Sequence, residues 1–234
     1  MSDDDELMDF HGVARLFPLP NLVLFPHVVQ PLHIFEPRYA ELVTDALAED
    51  RLIASVLLKP GWEELYAGKP PVHRVACLGK VIAEQKLPDG RFNILLRGMK
   101  RLRLKREKDS DKMYRIVHAD MLDDNPPEAV ELSKELRKHL AESLLPRFKP
   151  AGGSLDQIKG LFQSEMPLGS LCDVLSFALP FPSEMKQSLL EQLDVTKRVR
   201  QLINLIDCLR PNATELIASV GGPDRKFPPE FSLN

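Results

Sequence analysis

The spacing of apolar residues changes near the middle of the chain, around Asp123-Asp124-Asn125-Pro126-Pro127. Upstream, the apolar residues come in short runs and alternations. Residues 21–25 read as a strand ended by Pro26, which has no N–H to give to a ladder. A second extended piece, residues 32–35, lies between Pro31 and Pro37. Pro37 suits the first position of a helix, where φ is preset and its missing N–H costs nothing. Tyr39, Leu42, Val43, Ala46 and Leu47 then follow at i, i+3, i+4, i+7 and i+8, one face of that helix. Residues 52–58 form an apolar run without helical period, as in a buried strand. Residues 72–87 and 91–104 are the arms of a hairpin across Pro88-Asp89-Gly90, whose glycine supplies the positive φ of a tight turn. Phe92, Ile94 and Leu96 alternate until Gly98 interrupts them, which predicts a bulge or sharp coil. Residues 114–122 make a further strand.

After Pro127 the period becomes helical. Leu132, Leu136, Leu140 and Leu144 share one stripe, closed by Pro146 and Pro150. Ser154 and Gln157 form an S-x-x-Q capping box for a short helix carrying Leu155, Ile158, Leu161 and Phe162. Leu168, Leu171, Cys172, Leu175 and Leu179 mark the next helix, with Pro180 and Pro182 after it. Ser183 is a candidate cap for a further helix, and Asp194 for the last, which carries Val199, Leu202, Ile203, Ile206 and Leu209 and ends at Pro211. Such short helices are marginal alone and must bury their stripes against one another.

Composition narrows the function classes. With 44% hydrophobic and 28% charged residues, the chain has the make-up of an ordinary globular protein. A formal net charge of −3 gives no global pull toward nucleic acid or anionic membrane. No apolar stretch approaches the roughly 20 residues of a membrane span. The acidic start MSDDDE is unlike a secretory signal. Cys77, Cys172 and Cys208 are widely spaced and lack a C-x-x-C, so buried free thiols in a reducing cytoplasm are expected.

Catalytic and metal motifs are not found. Gly61…Gly68-Lys69-Pro70 has the wrong glycine spacing for a phosphate loop and a proline where magnesium would need Ser or Thr. There is no G-x-S-x-G elbow. The six histidines are scattered without convergent ligands. The acidic groups at the N-terminus and at Asp123-Asp124 read as solvated charge. Asp173, inside an apolar helix, reads as outward-facing or as paired with a base such as Lys197 or Arg200. No catalytic residue, metal ligand or cofactor is therefore expected, and the chain reads as a non-enzyme.

The first half carries, in order, Leu19-Pro20, Leu22-Val23-Leu24-Phe25-Pro26, Pro31-Leu32, Ile34-Phe35-Glu36 and Arg38-Tyr39. This order of motifs resembles the Lon protease N-terminal domain, the substrate-binding module also found in cereblon. Leu78-Gly79-Lys80-Val81, the Pro88-Asp89-Gly90 turn and the strand from Leu95 through Gly98 to Leu104 continue the likeness. Residues 171–206 are similar to the module's helical half. His27 stands where the family usually has glycine, and Lys80 where it often has threonine.

The resemblance implies an α+β fold: an N-terminal PUA-like (pseudo) β-barrel with one main helix, then a C-terminal α-helical bundle. The corresponding division is a flexible acidic N-terminus at 1–14, a barrel at 15–124, a bundle at 125–211 and an irregular tail at 212–234. It implies a non-catalytic module that binds unfolded or partly folded polypeptide, in the cytoplasm, without the ATPase and protease domains. Such a module could serve protein quality control as an adaptor for a separate protease or chaperone. The alternative is a scaffold specific for one folded partner or a small ligand; membrane and nucleic-acid partners are not expected, and the oligomeric state is left open.

Two surfaces are candidates. The loop at 59–71 carries Trp62, the chain's one tryptophan, with Leu65 and Tyr66. These stand at i, i+3 and i+4, so a single helical turn would bring them to one face for peptide binding. The competing reading is a Trp62 that plugs one end of the barrel. Arg101, Arg103 and Lys105 alternate along one strand and form a basic stripe. RNA is its possible ligand, and the alternative is a solvated edge that discourages aggregation. No aromatic residue interleaves with the stripe to stack a base.

Overall fold

The computed structural model describes residue 7 and residues 10–66, 68–148 and 153–209, with backbone alone at 153 and 154. The chain divides into two compact units, one running to Leu122 and the other starting at Asp123. The first contains six strands: β1 (Val13–Leu19), β2 (Val29–Ile34), β3 (Leu52–Leu57), β4 (Val75–Lys86), β5 (Phe92–Lys108) and β6 (Arg115–Leu122). Its helix α1 (Pro37–Ala48) follows β2. The sheet order is β2-β5-β4-β3-β1-β6, and β5 also pairs with β6, so that β1, β3, β4, β5 and β6 close a ring with β2 appended to it.

Closure depends on the length of β5. Its first half pairs with β2 and its second half with β6, while β4 runs antiparallel along most of it. The register slips between Leu78 and Gly79, leaving Met99 as an extra residue opposite β4. This is the predicted irregularity at Gly98, and its cause is a close backbone approach. Gly98 N–H donates to Val28 O at 2.8 Å and Gly98 O accepts from His27 N–H at 2.9 Å. A Cβ at Gly98 would lie inside van der Waals contact with the Phe25 carbonyl. His27, across this junction, has φ 66. That left-handed backbone explains why glycine suits the position.

The segment at 21–25 is a correction to the sequence reading. Val23, Leu24 and Phe25 are buried, yet the segment is irregular and pairs with no strand. An apolar run reports burial; here tertiary packing satisfies it without a ladder. The first strand is instead Val13–Leu19, parallel to β3 through Leu16↔Ala54 and Leu19↔Leu57. It begins inside the stretch expected to be flexible, and Leu7 and Phe10 upstream are buried in a cluster with Leu16, Leu52, Leu78 and Leu102. The MSDDDE start lies outside the described residues.

The helix at Pro37 forms as expected, with proline in its first turn and Tyr39, Leu42, Val43 and Ala46 buried. They join Phe17, Leu24, Leu32, Ile34, Ile53 and Ile94 in the second core cluster. Arg15 ties β1 to the end of this helix, donating to Asp50 at 2.6 Å. The hairpin turn closes as read, with Leu87 N–H to Arg91 O at 2.8 Å and Gly90 at φ 86.

The second unit holds α2 (Val130–Leu144), α3 (Gly153–Gln163), α4 (Leu168–Ala178), α5 (Ser183–Glu191) and α6 (Val195–Cys208). Most of the predicted stripe residues of α2 and α6 are buried, namely Leu136, Leu140 and Leu144 of α2 and Val199, Leu202, Ile203 and Ile206 of α6, while Leu132 and Leu209 are half-buried. Asp194 caps α6 by accepting from Lys197 N–H at 3.0 Å. Ser183 lies inside α5 and caps nothing; Pro182 precedes it. The Ser154 side chain and the tail beyond residue 209 lie outside the described residues.

Three charged residues depart from the sequence reading together. Asp173 is buried rather than outward-facing, and its partner is Arg198 Nε at 3.3 Å, not Lys197 or Arg200. Arg198 is itself fully buried, and its other nitrogens donate to both Asp124 oxygens and to Gln192 O. Asp124 is thus held by the bundle rather than solvated. The next residue, Asn125, exchanges backbone hydrogen bonds with Leu193 and Val195. These bonds tie Asp124 and Asn125 into the second unit, which starts at Asp123. Cys77 and Cys172 are buried and in no disulfide, whereas Cys208 is exposed on α6.

Two outcomes follow from these contacts. Gly98→Ala collides with backbone and should abolish cooperative unfolding or lower the urea midpoint severely. Gly90→Ala, which meets open space, should lose only about 1 kcal/mol from its positive φ. Arg198→Ala takes from buried Asp173 and from Asp124 the cation they share and should cost about 3–5 kcal/mol in denaturant unfolding. Equal midpoints for the two glycine variants, or an unchanged midpoint for Arg198→Ala, would contradict these assignments.

Candidate functional site

Two segments of the first unit are pinned to the rim of α1. The loop at 59–71 is closed at its neck by Lys59 N–H to Pro71 O at 2.9 Å and a bridge between Leu58 and Val72. Gly61, at φ 82, lets it turn into one 3₁₀ turn, Glu63–Leu65. The predicted single helical turn is therefore present. Trp62 and Tyr66 meet edge to face with ring centroids 5.1 Å apart. Leu65 does not join them; it is 53% exposed. Trp62 is half-buried and belongs to neither core cluster, so it does not plug the barrel.

Charged groups at the start of α1 fix Tyr66. Its hydroxyl donates to Glu36 Oε1 at 2.5 Å, and the other Glu36 oxygen accepts from Arg38 Nε at 3.0 Å. The Arg38 guanidinium stacks between two rings, 4.6 Å from the centroids of both Tyr39 and Tyr66. One of its terminal nitrogens donates to Tyr66 O at 3.2 Å. Burial, then the Glu36 carboxylate, pushes the Tyr66 phenol upward, so it stays protonated and remains a donor.

Arg115 on β6 holds the other end of the same loop. One of its nitrogens donates to Pro70 O at 2.7 Å, and two others donate to Glu107. Lys69 also reaches Glu107, at 3.2 Å. Burial alone would raise the Glu107 carboxyl, but Arg115 and Lys69 outweigh it and hold the group below its usual range. The two arginines do the same job: each grips one glutamate and one loop carbonyl.

The second segment, residues 109–114, is fastened farther along α1. Tyr114 Oη donates to Asp45 at 2.7 Å, Lys112 pairs with Asp45 at 2.7 Å, and Met113 N–H donates to Glu41 at 3.0 Å. Met113 is left 60% exposed. Between the segments lies a cleft of ≈ 30 Å³ lined by Arg38, Tyr39, Tyr66, Met113, Tyr114 and Arg115, among others. It has room for water only. The arrangement is an apolar surface on a stapled frame, too shallow for a cofactor. Among the described residues there is no cluster of His, Cys, Asp and Glu able to hold a metal ion, and no helix long and apolar enough to cross a membrane.

The basic stripe is shorter than expected. Arg101 is 3% exposed, set between Cys77 of β4 and Leu122 of β6, where strands flank β5 on both sides. Arg103, opposite Val75 at the very end of β4, and Lys105, where β5 has run past that end, are exposed. Lys105 pairs with Asp120 at 2.6 Å across the strands. Only these two basic residues of the three therefore face solvent, and one is partly neutralised.

A ring-closed sheet with one main helix, followed by a unit of helices, is an α+β architecture. The sequence profile described as "ATP-dependent protease La (LON) substrate-binding domain" matches residues 13–207. The chain belongs to that family. It is 24% identical over 207 residues to Lon protease 2 of Bdellovibrio bacteriovorus, covering 88% of this chain and 26% of the relative. Against Lon protease 2 of Myxococcus xanthus it is 25% identical, covering 85% and 24%. The chain thus spans about a quarter of the length of these curated relatives, and the matched family is the substrate-binding domain, not the protease or ATPase.

Among solved structures, the fold is similar to a Lon N-terminal domain protein from Xanthomonas campestris, with a TM-score of 0.59 and 23% identity over 82% of this chain and 97% of that one. It is also similar to the N-terminal domain of the Mycobacterium avium complex Lon protease, with a TM-score of 0.64 and 17% identity over 84% and 100%.

Sequence reasoning found the loop but missed its fastenings. Glu36 and Arg38 stood in the sequence only as residues of a matched motif, and Met113 was not marked at all; their roles come into view through the fold. The one available signal was Glu36-Pro37-Arg38-Tyr39, charged residues grouped at a helix start. If the arginines staple the loop, Arg38→Ala combined with Arg115→Ala should shift Trp62 emission to longer wavelength and raise its quenching by iodide. Unchanged emission in the folded double variant would show that the loop holds its shape without them.

Proposed function

We propose that this chain captures unfolded or partly folded polypeptide on the apolar face formed by Trp62, Leu65, Tyr66 and Met113, and presents it to a separate protease or chaperone. Family membership supports a substrate-recognition role. Two observations carry the surface assignment: Met113 is exposed at the cleft that Tyr66 also lines, and Leu65 is exposed on the loop that bears the aromatic pair and is held at both ends. Exposed apolar groups on a rigid frame bind extended chains without ordering the binder first.

Strand addition, the other common mode of peptide capture, is disfavoured at β2. The bond from Gly98 N–H to Val28 O sets the alternation so that Pro31 turns its backbone to the free edge. Pro31 has no N–H, and its carbonyl already accepts from Gln30 Nε2 at 2.8 Å. The middle of that edge therefore has no free donor, and its acceptor is occupied. Capture by side chains is the better-supported mode.

The test uses exposed positions, because Tyr66 is built into the frame and its loss would confuse binding with stability. Leu65→Asp combined with Met113→Asp should weaken binding to a reduced, alkylated globular protein at least tenfold. The melting temperature should change little, since both side chains face solvent. Undiminished binding by the folded double variant would sink the assignment, and a single stoichiometric folded partner in its place would favour the scaffold reading.

A further inference from the structure

If this apolar face is a capture surface, as proposed above, the chain supplies an occupant for it. Residues 210–234 lie outside the described part, and their sequence contains Arg225-Lys226-Phe227-Pro228-Pro229-Glu230-Phe231. We infer that this segment is an intrinsic occupant of the Trp62–Met113 face and competes there with client polypeptide.

Three features match the segment to the face. A Pro-Pro pair favours the extended polyproline conformation, which loses little entropy on docking and is taken up by exposed aromatic rings. Trp62 and Tyr66 form such a pair. Phe227 and Phe231 supply bulky apolar groups on either side of the prolines, suited to cover Leu65 and Met113.

The charges also match. Glu63 and Glu64 are exposed beside Trp62 and Leu65, and among the described residues neither forms an ion pair. The cations around the cleft are already engaged: Arg38 with Glu36, Arg115 and Lys69 with Glu107, and Lys112 with Asp45. The free charge next to the aromatic pair is negative, and Arg225-Lys226 directly precede Phe227. From Leu209, the intervening chain spans on the order of 50 Å when extended, at about 3.3 Å per residue. That exceeds the radius of a domain of about 100 residues severalfold.

Trp62 is the chain's one tryptophan, so its emission reports on this face alone. In the full chain, Phe227→Ser with Phe231→Ser should vacate the face. Affinity for a reduced, alkylated globular protein should rise about threefold or more, and Trp62 emission should shift to longer wavelength. A synthetic peptide of residues 223–234, added to that variant, should reverse the shift saturably and displace the bound protein. The same peptide with both phenylalanines replaced should do neither, and Glu63→Gln with Glu64→Gln should weaken the effective peptide. No emission change with the peptide, together with unaltered client affinity in the phenylalanine variant, would overturn the inference. Under that outcome, loss of client binding in the Leu65→Asp, Met113→Asp variant would leave the capture surface standing. Retained client binding in that variant would remove both.

Discussion

The first unit depends on the two-sidedness of α1. Tyr39, Leu42, Val43 and Ala46 seat the helix on the sheet with almost no exposure. Its rim then acts as a rail: Glu36 and Arg38 hold one loop, while Glu41 and Asp45 hold the segment at 109–114. Individually these polar contacts are worth little, as partly exposed ion pairs contribute roughly 0–1 kcal/mol each. Their effect is geometric. Several bonds to one rigid helix fix two irregular segments that no ladder would order, and the apolar side chains between them stay in solvent because the polar ones are spoken for.

The bundle uses a different anchor. A fully buried arginine shared by Asp173 and Asp124 carries a heavy desolvation penalty, and apolar residues could have filled the same volume. Apolar packing would not select the chain segment that enters the unit. Arg198 does: it binds Asp124 through paired nitrogens and sits against Gly169, where a Cβ would press on Asp124 and Arg198 together. The cation thereby specifies how the bundle's first residues are held.

How much was legible in the sequence followed the range of the interactions. The Pro37 start of α1, the Gly90 hairpin, the Asp194 cap and the leucine stripes are set by neighbours within a turn or two, and the residues announce them. Residues 21–25 misled because burial and strand pairing leave the same apolar signature. Arg198 was invisible because its aspartates are 25 and 74 positions away in sequence (the latter separation is that of its bond to Asp124). The candidate surface was half legible. A lone tryptophan in a Pro- and Gly-bounded loop drew notice, whereas Met113 and the arginine staples become meaningful only once β6 and α1 are brought together. Arg101 misled for a related reason, since alternation tells the face of a strand but not how deeply its neighbours cover it.

The closed edge at Pro31 and Gln30 has a consequence for the protein's own solubility. An extended, sticky chain that meets an open sheet edge can pair with it as a further strand, and each such pairing could seed a growing sheet. On β2, an incoming chain would find no N–H at Pro31 and a carbonyl already taken by Gln30. The middle of β2 therefore gives such a chain no template from which to grow.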